Sequence, residues 1–539
     1  MHPIDELRAA VEAAAGDLRN GRPAPKSRAS LERPKKAGFG DYSTNAAMLL
    51  APTLGAPPRE IAERLGEKLT ERLGDAVDRV EVAGPGFLNV FLADAWYIAA
   101  ADQIVAAGED WGRSTPERAE RVNIEFVSAN PTGPLTAASG RHAAYGDALA
   151  RLLEHCGHEV VREYYFNNAG SQVTKLGASV RARARNEPVP EDGYQGDYVA
   201  DLAKQIPGAA EMDAEELGER ASELIMEGIR KTLHDYRVDF DSYFLEGSLH
   251  EGAIERAFEL LKERGHAYES EGALWMRTTA FGDDKDRVLQ RSTGAPTYFA
   301  ADVAYHENKV QRGFDRLIDV LGADHHGYIG RMKGVMAALG HEPDRLEIPI
   351  LQFVHIVEGS ERAKMSKRRG DFVTLDELIE AIGVDAIRWF MLSRSHESTI
   401  DLDLELARRQ DPENPVYYVQ YAHARIASIL RNADEGLVDR ALQTDVTGIE
   451  LNDSERELIR RLLAFPPEVR EATERRVPHK IAGYALELGQ AFAAFYRDSP
   501  VLKEPDAKLQ AFRVALCVAS KRTLASALGL LGVSAPEAM

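Results

Sequence analysis

The stretch VNIEFVSANPTGPLTAASGR (residues 122–141) decides the fold class of this chain. Its apolar start, residues 122–127, is typical of a buried strand, and the Pro- and Gly-containing residues 130–134 are typical of a loop. A helical pattern follows over residues 143–153, and residues 160–166 predict the next strand. Strand, loop, helix and strand in this order indicate a parallel sheet, so we predict an α/β fold.

The same stretch is a candidate ligand site. In an open parallel sheet, ligands bind beyond the carboxyl ends of the strands, and the N-terminus of a helix attracts phosphate. Residues 127–141 pass from a strand end to a helix start through small side chains. A plain connection between strand and helix explains them equally well, so both interpretations stay open at this point.

The sequence on either side predicts two further units. Residues 1–112 contain two helical patterns and then a strand, a turn and a strand, which indicate a small α/β domain. Residues 113–405 form the parallel-sheet domain, with a helical insertion around residues 170–290. From residue 406 to 539 we predict an all-α helical bundle, in which Ser454 and Glu457 form a capping box.

Composition excludes several classes of protein. The 539 residues are 44% hydrophobic with ordinary Gly and Pro content, so collagen-like and globally disordered chains are excluded. No run approaches about 20 apolar residues, and the first residues lack a secretory pattern, so we expect no membrane association and a cytoplasmic protein. Two distant cysteines exclude a disulfide framework and a Cys-based zinc site.

The net charge of −20 argues against non-specific binding of DNA or RNA, because such binding depends on the neutralisation of phosphates. A structured RNA can still meet a local basic patch. Residues 19–36 contain seven Lys and Arg side chains against one acid. This patch is also consistent with a solvated surface loop.

A second candidate site is the stretch KMSKRRGD (residues 364–371). Four cations and a serine fall within six residues of a loop, which can bind a triphosphate while charge develops on the departing diphosphate. A basic surface loop is the alternative. No phosphate loop of the Walker type occurs, so a P-loop nucleotidase is excluded.

Together, these two stretches resemble the signature motifs of class I aminoacyl-tRNA synthetases. Further stretches narrow the resemblance to arginyl-tRNA synthetases of the bacterial type, and it covers nearly the whole chain. These stretches are residues 40–45, 128–134, 300–306, 322–327, 414–425 and 533–537.

The resemblance implies a class I Rossmann-like catalytic domain, an N-terminal domain that contacts tRNA and a helical anticodon-binding domain. The implied reaction activates L-arginine with ATP to arginyl-adenylate and transfers the arginyl group to the terminal adenosine of tRNA(Arg). Mg²⁺ accompanies ATP, and family members need tRNA for the first step. We expect a monomer without zinc or a tightly bound cofactor, and no DNA or membrane partner.

The resemblance also assigns residues. Arginine is a planar fork of donors that demands carboxylate and hydroxyl acceptors, which Asp302 and Tyr298 supply. The predicted substrate-binding residues are Glu125, Ser128, Ala129, Asn130, Tyr298, Asp302 and His325. The predicted catalytic residues are Lys364, Ser366, Lys367, Thr136, Ser139 and Arg141. The predicted ATP-binding residues are Gly133, Gly140, Gly322, Asp324 and Met365. The predicted tRNA-binding residues are Asn89, Tyr421, Phe495 and Tyr496.

One departure from the family pattern leaves alternatives open. The class usually has two histidines where this chain has Thr136 and Ser139, whose hydroxyls can donate to phosphate but carry no positive charge. We expect Arg141 or His142 to compensate. A tRNA-binding protein with weakened or lost activation is therefore a second hypothesis, and a class I enzyme for another amino acid is a third. A metal site at Asp324, with its neighbouring histidines, is disfavoured by the spacing.

Overall fold

The computed structural model describes residues 2–34, 38–168, 170–358, 361–362 and 373–539. The calls on Lys364, Met365, Ser366 and Lys367 lie outside the described residues, as do Lys35 and Lys36 of the basic patch. None of the helices in the described ranges combines the length and apolar character that crossing a bilayer requires.

The N-terminal unit contains four α-helices and an antiparallel sheet. The sheet has the strand order β1-β2-β4-β3, and the strand–turn–strand prediction corresponds to β3 and β4. The elements are α1 (Pro3–Arg19), β1 (Leu31–Glu32), β2 (Tyr42–Thr44), α2 (Ala46–Leu54), α3 (Pro58–Leu73), β3 (Val77–Ala83), β4 (Phe87–Leu92) and α4 (Asp94–Ala107).

The central unit is built on a parallel sheet, as the sequence predicted. The five-stranded sheet has the order β13-β11-β5-β6-β7, and every neighbouring pair is parallel. Its elements up to the site helix are β5 (Arg121–Glu125), α5 (Ala137–His155), β6 (Glu159–Phe166), α6 (Ser171–Ala184), α7 (Asp197–Gln205), α8 (Ala214–Asp235), β7 (Ser242–Leu245), α9 (Ala253–Glu263), β8 (Ala267–Ser270), β9 (Ala273–Met276), β10 (Arg287–Gln290) and α10 (Tyr298–Gln311).

The predicted helical insertion around residues 170–290 is corrected here. Helices α6, α7 and α8 end at Asp235, and β7 then joins the edge of the central sheet. Strands β8, β9 and β10 form a separate antiparallel sheet. The sequence analysis did not separate these strands from the charge-rich helices, because each strand is only four residues long and shows too short an alternating pattern.

The central unit ends in short strands and one kinked helix. Gly383 interrupts that helix, α12, with a φ of 77°. The remaining elements are β11 (Arg316–Asp319), β12 (Leu321–Gly322), α11 (Tyr328–Ala338), β13 (Leu346–Glu347), β14 (Ile350–Leu351), β15 (Val354–Glu358), β16 (Glu361–Arg362), α12 (Leu375–Leu392), β17 (Ile400–Asp403) and α13 (Leu404–Arg408).

The C-terminal unit is helical, as predicted, but its predicted capping box is wrong by two residues. Asn452 caps the long helix α16, and Glu455 returns the hydrogen bond to the backbone of Asn452. Asn accepts the first helical N–H groups as well as Ser does. The helices are α14 (Pro415–Arg431), α15 (Leu437–Ala441), α16 (Asp453–Glu474), α17 (His479–Asp498) and α18 (Ala507–Leu530).

Two hydrophobic cores support these units. The larger core runs from Leu7 of α1 through Val122 of β5 and α5 to Val533, so it joins all three units. The smaller core contains the apolar faces of α9, α10 and α11, including Val303 and Met332. Helix α10 therefore packs mainly in a different core from α5.

Candidate functional site

Three carboxylates lie side by side across the central sheet. Asp319 is the last residue of β11, Glu125 is the last residue of β5, and the two face each other in the strand register. Glu163 of β6 is the register partner of Glu125 on its other side. Side chains in one register row of a parallel sheet point to the same face, so this row concentrates negative charge near the strand ends.

Helix α10 lies against this row and supplies its partners. Lys309 is fully buried and its Nζ donates to Glu125 Oε2 at 2.6 Å and to Asp319 Oδ1 at 2.7 Å. His306 Nε2 lies 2.8 Å from Asp319 Oδ2. Arg312, directly after the helix, binds both oxygens of Glu163 at 2.5 and 2.7 Å.

Charges and hydrogen bonds within this cluster counteract the effect of burial. Burial opposes ionisation, but the opposite charges and hydrogen bonds outweigh it for four of the groups. The pKa values of Lys309 and His306 are raised, and those of Asp319 and Glu163 are lowered. The three carboxylates of the row therefore lie against three basic side chains, those of Lys309, His306 and Arg312.

Asp302 is an acid of the same region that lies outside this row of paired charges. It lies on α10 one turn before His306, and within the described ranges no ion pair joins it to a cation. The Tyr328 hydroxyl donates to its Oδ2. Burial, together with the charges of Glu125 and Glu246, raises the pKa of Asp302 to about 6.

Glu246 adds a further carboxylate to the same pocket. Tyr165 donates its hydroxyl to Glu246 Oε2 at 2.8 Å. The pKa of Tyr165 is raised by burial and by the charges of Glu246, Asp302 and Glu125, so these acids surround one hydroxyl. A pocket of this kind favours a cationic ligand with several donors.

Tyr298 opens α10 one turn before Asp302. Its side chain is 68% exposed, so its ring and hydroxyl are available at the pocket mouth rather than packed in the core. Residues four apart on a helix share a face, which places Tyr298 and Asp302 on the same side of α10, as their spacing predicted.

The loop after β5 has an unusual backbone. Val127 and Ser128 both have positive φ values, 68° and 41°, although neither is glycine. Such conformations cost about 1–3 kcal/mol each and persist where the surroundings enforce them. Ser128 Oγ donates to Glu125 Oε1 at 3.0 Å and accepts from Tyr165 N at 3.2 Å, which holds the loop against the acidic row.

The next two residues of the loop are also fixed. The Tyr164 hydroxyl donates to the carbonyl of Ala129 at 2.8 Å and accepts from its N–H at 3.2 Å. Asn130 is exposed; its Nδ2 donates to Gln172 Oε1 at 3.1 Å. Asn130 therefore faces solvent, next to a backbone that the Tyr164 hydroxyl fixes at Ala129.

The predicted phosphate end of the site lies at the start of α5. Thr136 caps this helix, and Ser139 completes a capping box in which each hydroxyl accepts a backbone N–H. A Cβ on Gly140 would lie 2.8 Å from Leu375 Cδ1, so only glycine fits there without displacing the side chain of Leu375. At Gly133 a Cβ would come within 3.3 Å of the Tyr198 hydroxyl.

Two backbone hydrogen bonds join the helix start to residues 373–375. The Ala137 N–H donates to the carbonyl of Val373 at 3.1 Å, and the Leu375 N–H donates to the carbonyl of Leu135 at 2.8 Å. The first described residues after the KMSK stretch thus lie beside the first turn of α5.

Arg141 and His142 do not compensate for the absent histidines, and this expectation is corrected. Arg141 is 2% exposed, and its two terminal nitrogens donate to five carbonyls; the nearest belong to Gln352 and Ser398. Burial and the charge of Arg141 lower the pKa of His142 to about 4, so it is neutral at pH 7. Arg141 joins two loops instead of contacting phosphate.

The other predicted nucleotide residues follow β12. His142 Nε2 lies 3.9 Å from the position that a Cβ on Gly322 would occupy, so this glycine faces the first turns of α5. Asp324 and His325 are exposed in the turn that follows, with His325 Nε2 3.3 Å from Asp324 Oδ2. The ring of His325 meets that of Tyr328 edge to face, which links this turn to the Asp302 pocket.

The predicted tRNA-binding residues divide into exposed and buried ones. Tyr421 and Tyr496 are each 40% exposed, and the guanidinium of Arg425 lies over both rings at 5.0 and 5.7 Å. Phe495 is fully buried and Asn89 is 4% exposed, so neither offers a surface to RNA and both are corrected. A helix or strand alternates its faces, and these two residues lie on the inner ones.

Sequence reasoning missed the groups that hold the acids in place: Glu163, Glu246, His306, Lys309 and Tyr328. Glu163 carried a signal, because it and Arg162 are the two charged residues in a run, 160–166, that is otherwise apolar and aromatic. Lys309 stands seven residues after Asp302, which places both on one face of a helix. Glu246 and Tyr328 carried no comparable signal, since they reach the pocket only through the tertiary fold.

Comparisons with known proteins agree with this architecture. Three family models match: "Arginyl tRNA synthetase N terminal domain" over residues 5–92, "tRNA synthetases class I (R), catalytic domain" over 101–389, and "DALR anticodon binding domain" over 419–539. An arginine–tRNA ligase of Geobacillus kaustophilus is 45% identical over 532 residues, 94% of each chain. One of Nitratidesulfovibrio vulgaris is 42% identical and aligns over 100% of both chains.

Solved structures give the same result. The arginyl-tRNA synthetase of Thermus thermophilus has a TM-score of 0.77 at 25% identity and covers 99% of this chain and 100% of its own. A putative arginyl-tRNA synthetase of Campylobacter jejuni has the same TM-score at 33% identity, covering 83% of this chain and 100% of its own.

Proposed function

This chain belongs to the arginyl-tRNA synthetase family, and from that premise we propose how its residues perform the reaction. It is an arginine–tRNA ligase: arginine and ATP give arginyl-adenylate and diphosphate, and the arginyl group then moves to the 3′-terminal adenosine of tRNA(Arg). The single structural observation that carries the substrate choice is Asp302, a carboxylate without a cation partner among the described residues.

Asp302 and Tyr298 bind the guanidinium, and Glu125 bounds the same pocket. A guanidinium is always charged and presents its N–H donors in one plane, so a carboxylate and a hydroxyl on one helix face match it. Because Tyr328 already donates to one oxygen of Asp302, the other oxygen is free to accept from arginine. A neutral side chain of similar length would leave the charge of Asp302 unpaired, and the pocket would reject it.

Ser128, Ala129 and Asn130 hold the amino acid's polar head, and His325, whose ring contacts Tyr328, is a further substrate contact. Their loop leads from the acidic row to the start of α5, which is the direction that arginine must span to bring its carboxylate to ATP. The left-handed backbone at Ser128 turns the loop into this path. Proximity of carboxylate and α-phosphate is itself a large part of catalysis in such a reaction.

ATP binds between the start of α5 and the turn at Gly322 and Asp324, and we assign Gly133 of the preceding loop to it. Gly140 is not part of this assignment, because it packs against Leu375. The N-terminal end of the helix dipole favours phosphate, and the hydroxyls of Thr136 and Ser139 add donors. The N–H groups of Ala137 and Ser139 already have acceptors in the carbonyl of Val373 and the hydroxyl of Thr136. We assign Lys364, Ser366 and Lys367 to the β- and γ-phosphates, and Met365 to the nucleotide. Mg²⁺ enters with ATP as part of the substrate complex.

The helical bundle and the N-terminal unit bind tRNA(Arg). Tyr421 and Tyr496 expose rings on which unpaired bases can stack, and Arg425 supplies a charge beside them. In the basic patch, Arg33 pairs with Glu457 at 2.6 Å, which leaves less free charge there than the sequence indicated. We propose that the protein acts as a monomer in the cytoplasm.

Arginine-dependent exchange of labelled diphosphate into ATP, with and without tRNA(Arg), tests this function. We expect exchange with arginine and tRNA together. Absence of exchange under both conditions, with tRNA binding retained, would instead support a tRNA-binding protein without activation. Exchange that depends on another amino acid would show that the pocket binds that amino acid and not arginine.

A further inference from the structure

The hydroxyl of Tyr164 holds one residue of the loop that follows β5. It donates to the Ala129 carbonyl at 2.8 Å and accepts from the Ala129 N–H at 3.2 Å. These two backbone groups belong to consecutive peptide units, one on each side of the Ala129 Cα. A single oxygen atom therefore sets the orientation of both peptide planes. Tyr164 itself touches no substrate in the function proposed above.

The position of this hydroxyl is set by packed aromatic rings. Tyr164 is fully buried, and the centre of its ring lies 5.4 Å from that of Phe240 and 5.6 Å from that of Tyr243. The ring of Phe240 also lies 4.4 Å from that of Phe126, at the start of the loop. Burial raises the pKa of Tyr164, so its hydroxyl is protonated at neutral pH and can donate.

The segment just before Ala129 has a strained backbone. The Ser128 N–H donates to the Phe126 carbonyl at 2.9 Å, which closes a three-residue turn around Val127. A φ of 68° at Val127 is typical of the rarer form of the γ-turn, and β-branched residues avoid it. Ser128 follows with a φ of 41°. Two such residues in succession persist where neighbouring contacts enforce them, and the Tyr164 hydroxyl supplies the contact at the next residue.

The orientation of the two peptide units decides what the loop offers to an amino acid. A trans peptide points its C=O and its N–H in opposite directions, so the Ser128 carbonyl and the Asn130 N–H point away from Tyr164. Neither group makes a hydrogen bond to another residue within the described ranges. An acceptor close to a donor matches the ammonium and the carboxylate of an amino acid. Rotation of either peptide unit would remove one member of this pair.

We propose that Tyr164 is a positioning residue for the α-amino and α-carboxylate groups of arginine: its hydroxyl keeps the strained loop in the conformation that binds them. The inference rests on the proposed function, because it needs an amino acid at this loop. It divides the binding of arginine into two parts, since the loop holds the polar head and the Asp302 pocket holds the guanidinium.

The test compares Tyr164→Phe with a matched control, Tyr236→Phe. Tyr164→Phe keeps the buried ring and removes only the hydroxyl. Tyr236 is also fully buried, and its hydroxyl has no hydrogen-bond partner among the residues that the structure describes. The control therefore removes a buried hydroxyl that holds no loop.

Two ligands are measured with each protein by calorimetry in the presence of tRNA(Arg). The first is arginine. The second is n-butylguanidine, which keeps the guanidinium and the aliphatic chain but has neither an amino nor a carboxylate group. A loop that positions the polar head affects the first ligand and not the second.

We expect Tyr164→Phe to raise the Kd for arginine by about tenfold, because two hydrogen bonds to the loop are lost. The Kd for n-butylguanidine should change less than about twofold, and so should the KM for ATP. At saturating arginine, the rate of activation should fall by a few-fold, because the carboxylate is less well placed for attack on ATP. Tyr236→Phe should change none of these values.

A measurement on the wild-type protein keeps the inference open to refutation even if Tyr164→Phe fails to fold. Hydrogen exchange, followed by mass spectrometry on peptides that contain residues 127–130, should show protected amides before arginine is added. Fast exchange there that slows only when arginine binds would overturn the inference, because the ligand and not Tyr164 would then order the loop.

The outcomes separate the two claims. If the wild-type protein shows no arginine-dependent exchange of diphosphate and binds no arginine, the proposed function fails, and the role of Tyr164 fails with it. If the wild-type protein is active but Tyr164→Phe binds arginine normally, only the inference on Tyr164 is overturned. An equal loss of affinity for both ligands, or an equal loss in Tyr236→Phe, would also overturn it, because the effect would not be specific to the polar head.

Discussion

The guanidinium end and the phosphate end of the proposed site are built in opposite ways. At the guanidinium end, buried acids and cations are already paired at 2.5–2.8 Å, and Asp302 and Glu246 have no ion pair among the described residues. At the phosphate end, Thr136 and Ser139 offer hydroxyls. In the proposed function, recognition of arginine is thus prepared by the fold, whereas positive charge for ATP is assigned to the lysines of residues 364–367.

Loss of the unpaired acid is expected to give the largest effect. Asp302→Ala should lower kcat/KM for arginine by about 10³-fold, since truncating one partner of a buried charge pair costs about 2–5 kcal/mol. Binding of tRNA, measured by filter retention, should stay within about twofold of wild type. Normal arginine kinetics in this variant would remove Asp302 from the pocket.

Loss of Lys367, which we assign to the phosphate end, should lower the rate of activation and not the affinity for arginine. Lys367→Ala should slow arginyl-adenylate formation by about 10²-fold, the usual effect of removing one preorganised charge partner of the transition state. The Kd for arginine, measured by calorimetry, should not change. A weaker arginine affinity with an unchanged rate would instead place Lys367 at the guanidinium end of the site.

Lowering the pH should weaken the binding of arginine more than the binding of ATP. Asp302 binds arginine in its ionised form, and its pKa of about 6 in the empty pocket is lowered when a guanidinium arrives. Arginine binding below this pH therefore requires loss of a proton, and the KM for arginine should rise about tenfold per pH unit as the pH falls below about 6.

The groups around Asp302 do not change this direction. Burial raises the pKa of Asp302, and so do Glu125 and Glu246, whereas Tyr328 and His306 lower it. The pKa of about 6 is the result of these opposing effects. The KM for ATP, measured in the same buffers, is the control. A parallel rise of both KM values would point to acid unfolding rather than to Asp302.

The smallest effect is expected from the capping threonine. Thr136→Ala should cost about 1 kcal/mol of stability, because one N-terminal N–H of α5 loses its acceptor. The matched control is Asn452→Ala, which removes the same kind of cap from α16. Both variants should unfold at slightly lower temperature, but only Thr136→Ala should also slow activation, by a few-fold; equal rates would limit Thr136 to capping.

The sequence predicted the fold class, and it indicated candidate ligand residues but not the residues that hold them in place. Strand and helix periodicity located β5, α5 and β6, because consecutive elements of a parallel sheet repeat a local pattern. Asp302 could be predicted from the family motif, but the pairing of Lys309 with Glu125 links residues 184 positions apart. The sequence pattern around either residue does not indicate such a contact.

The errors have physical reasons of the same kind. Arg141 is a cation at the start of a helix, which resembles a phosphate contact until its five carbonyl partners are known. Phe495 is an aromatic residue beside Tyr496, and only the direction of each side chain separates the core from the surface. Burial is a property of the packed chain, and neighbours in sequence can differ in it completely.

Helices α10 and α5 pack in different cores, and β11 of the central sheet contributes to both, through Leu317 and Ile318. In the proposed site the guanidinium of arginine lies beside α10 and ATP lies at the start of α5. Arginyl-adenylate would therefore bridge the two helices as one covalent molecule. Transfer of the arginyl group to tRNA, with AMP as the leaving group, would cut this bridge in every turnover.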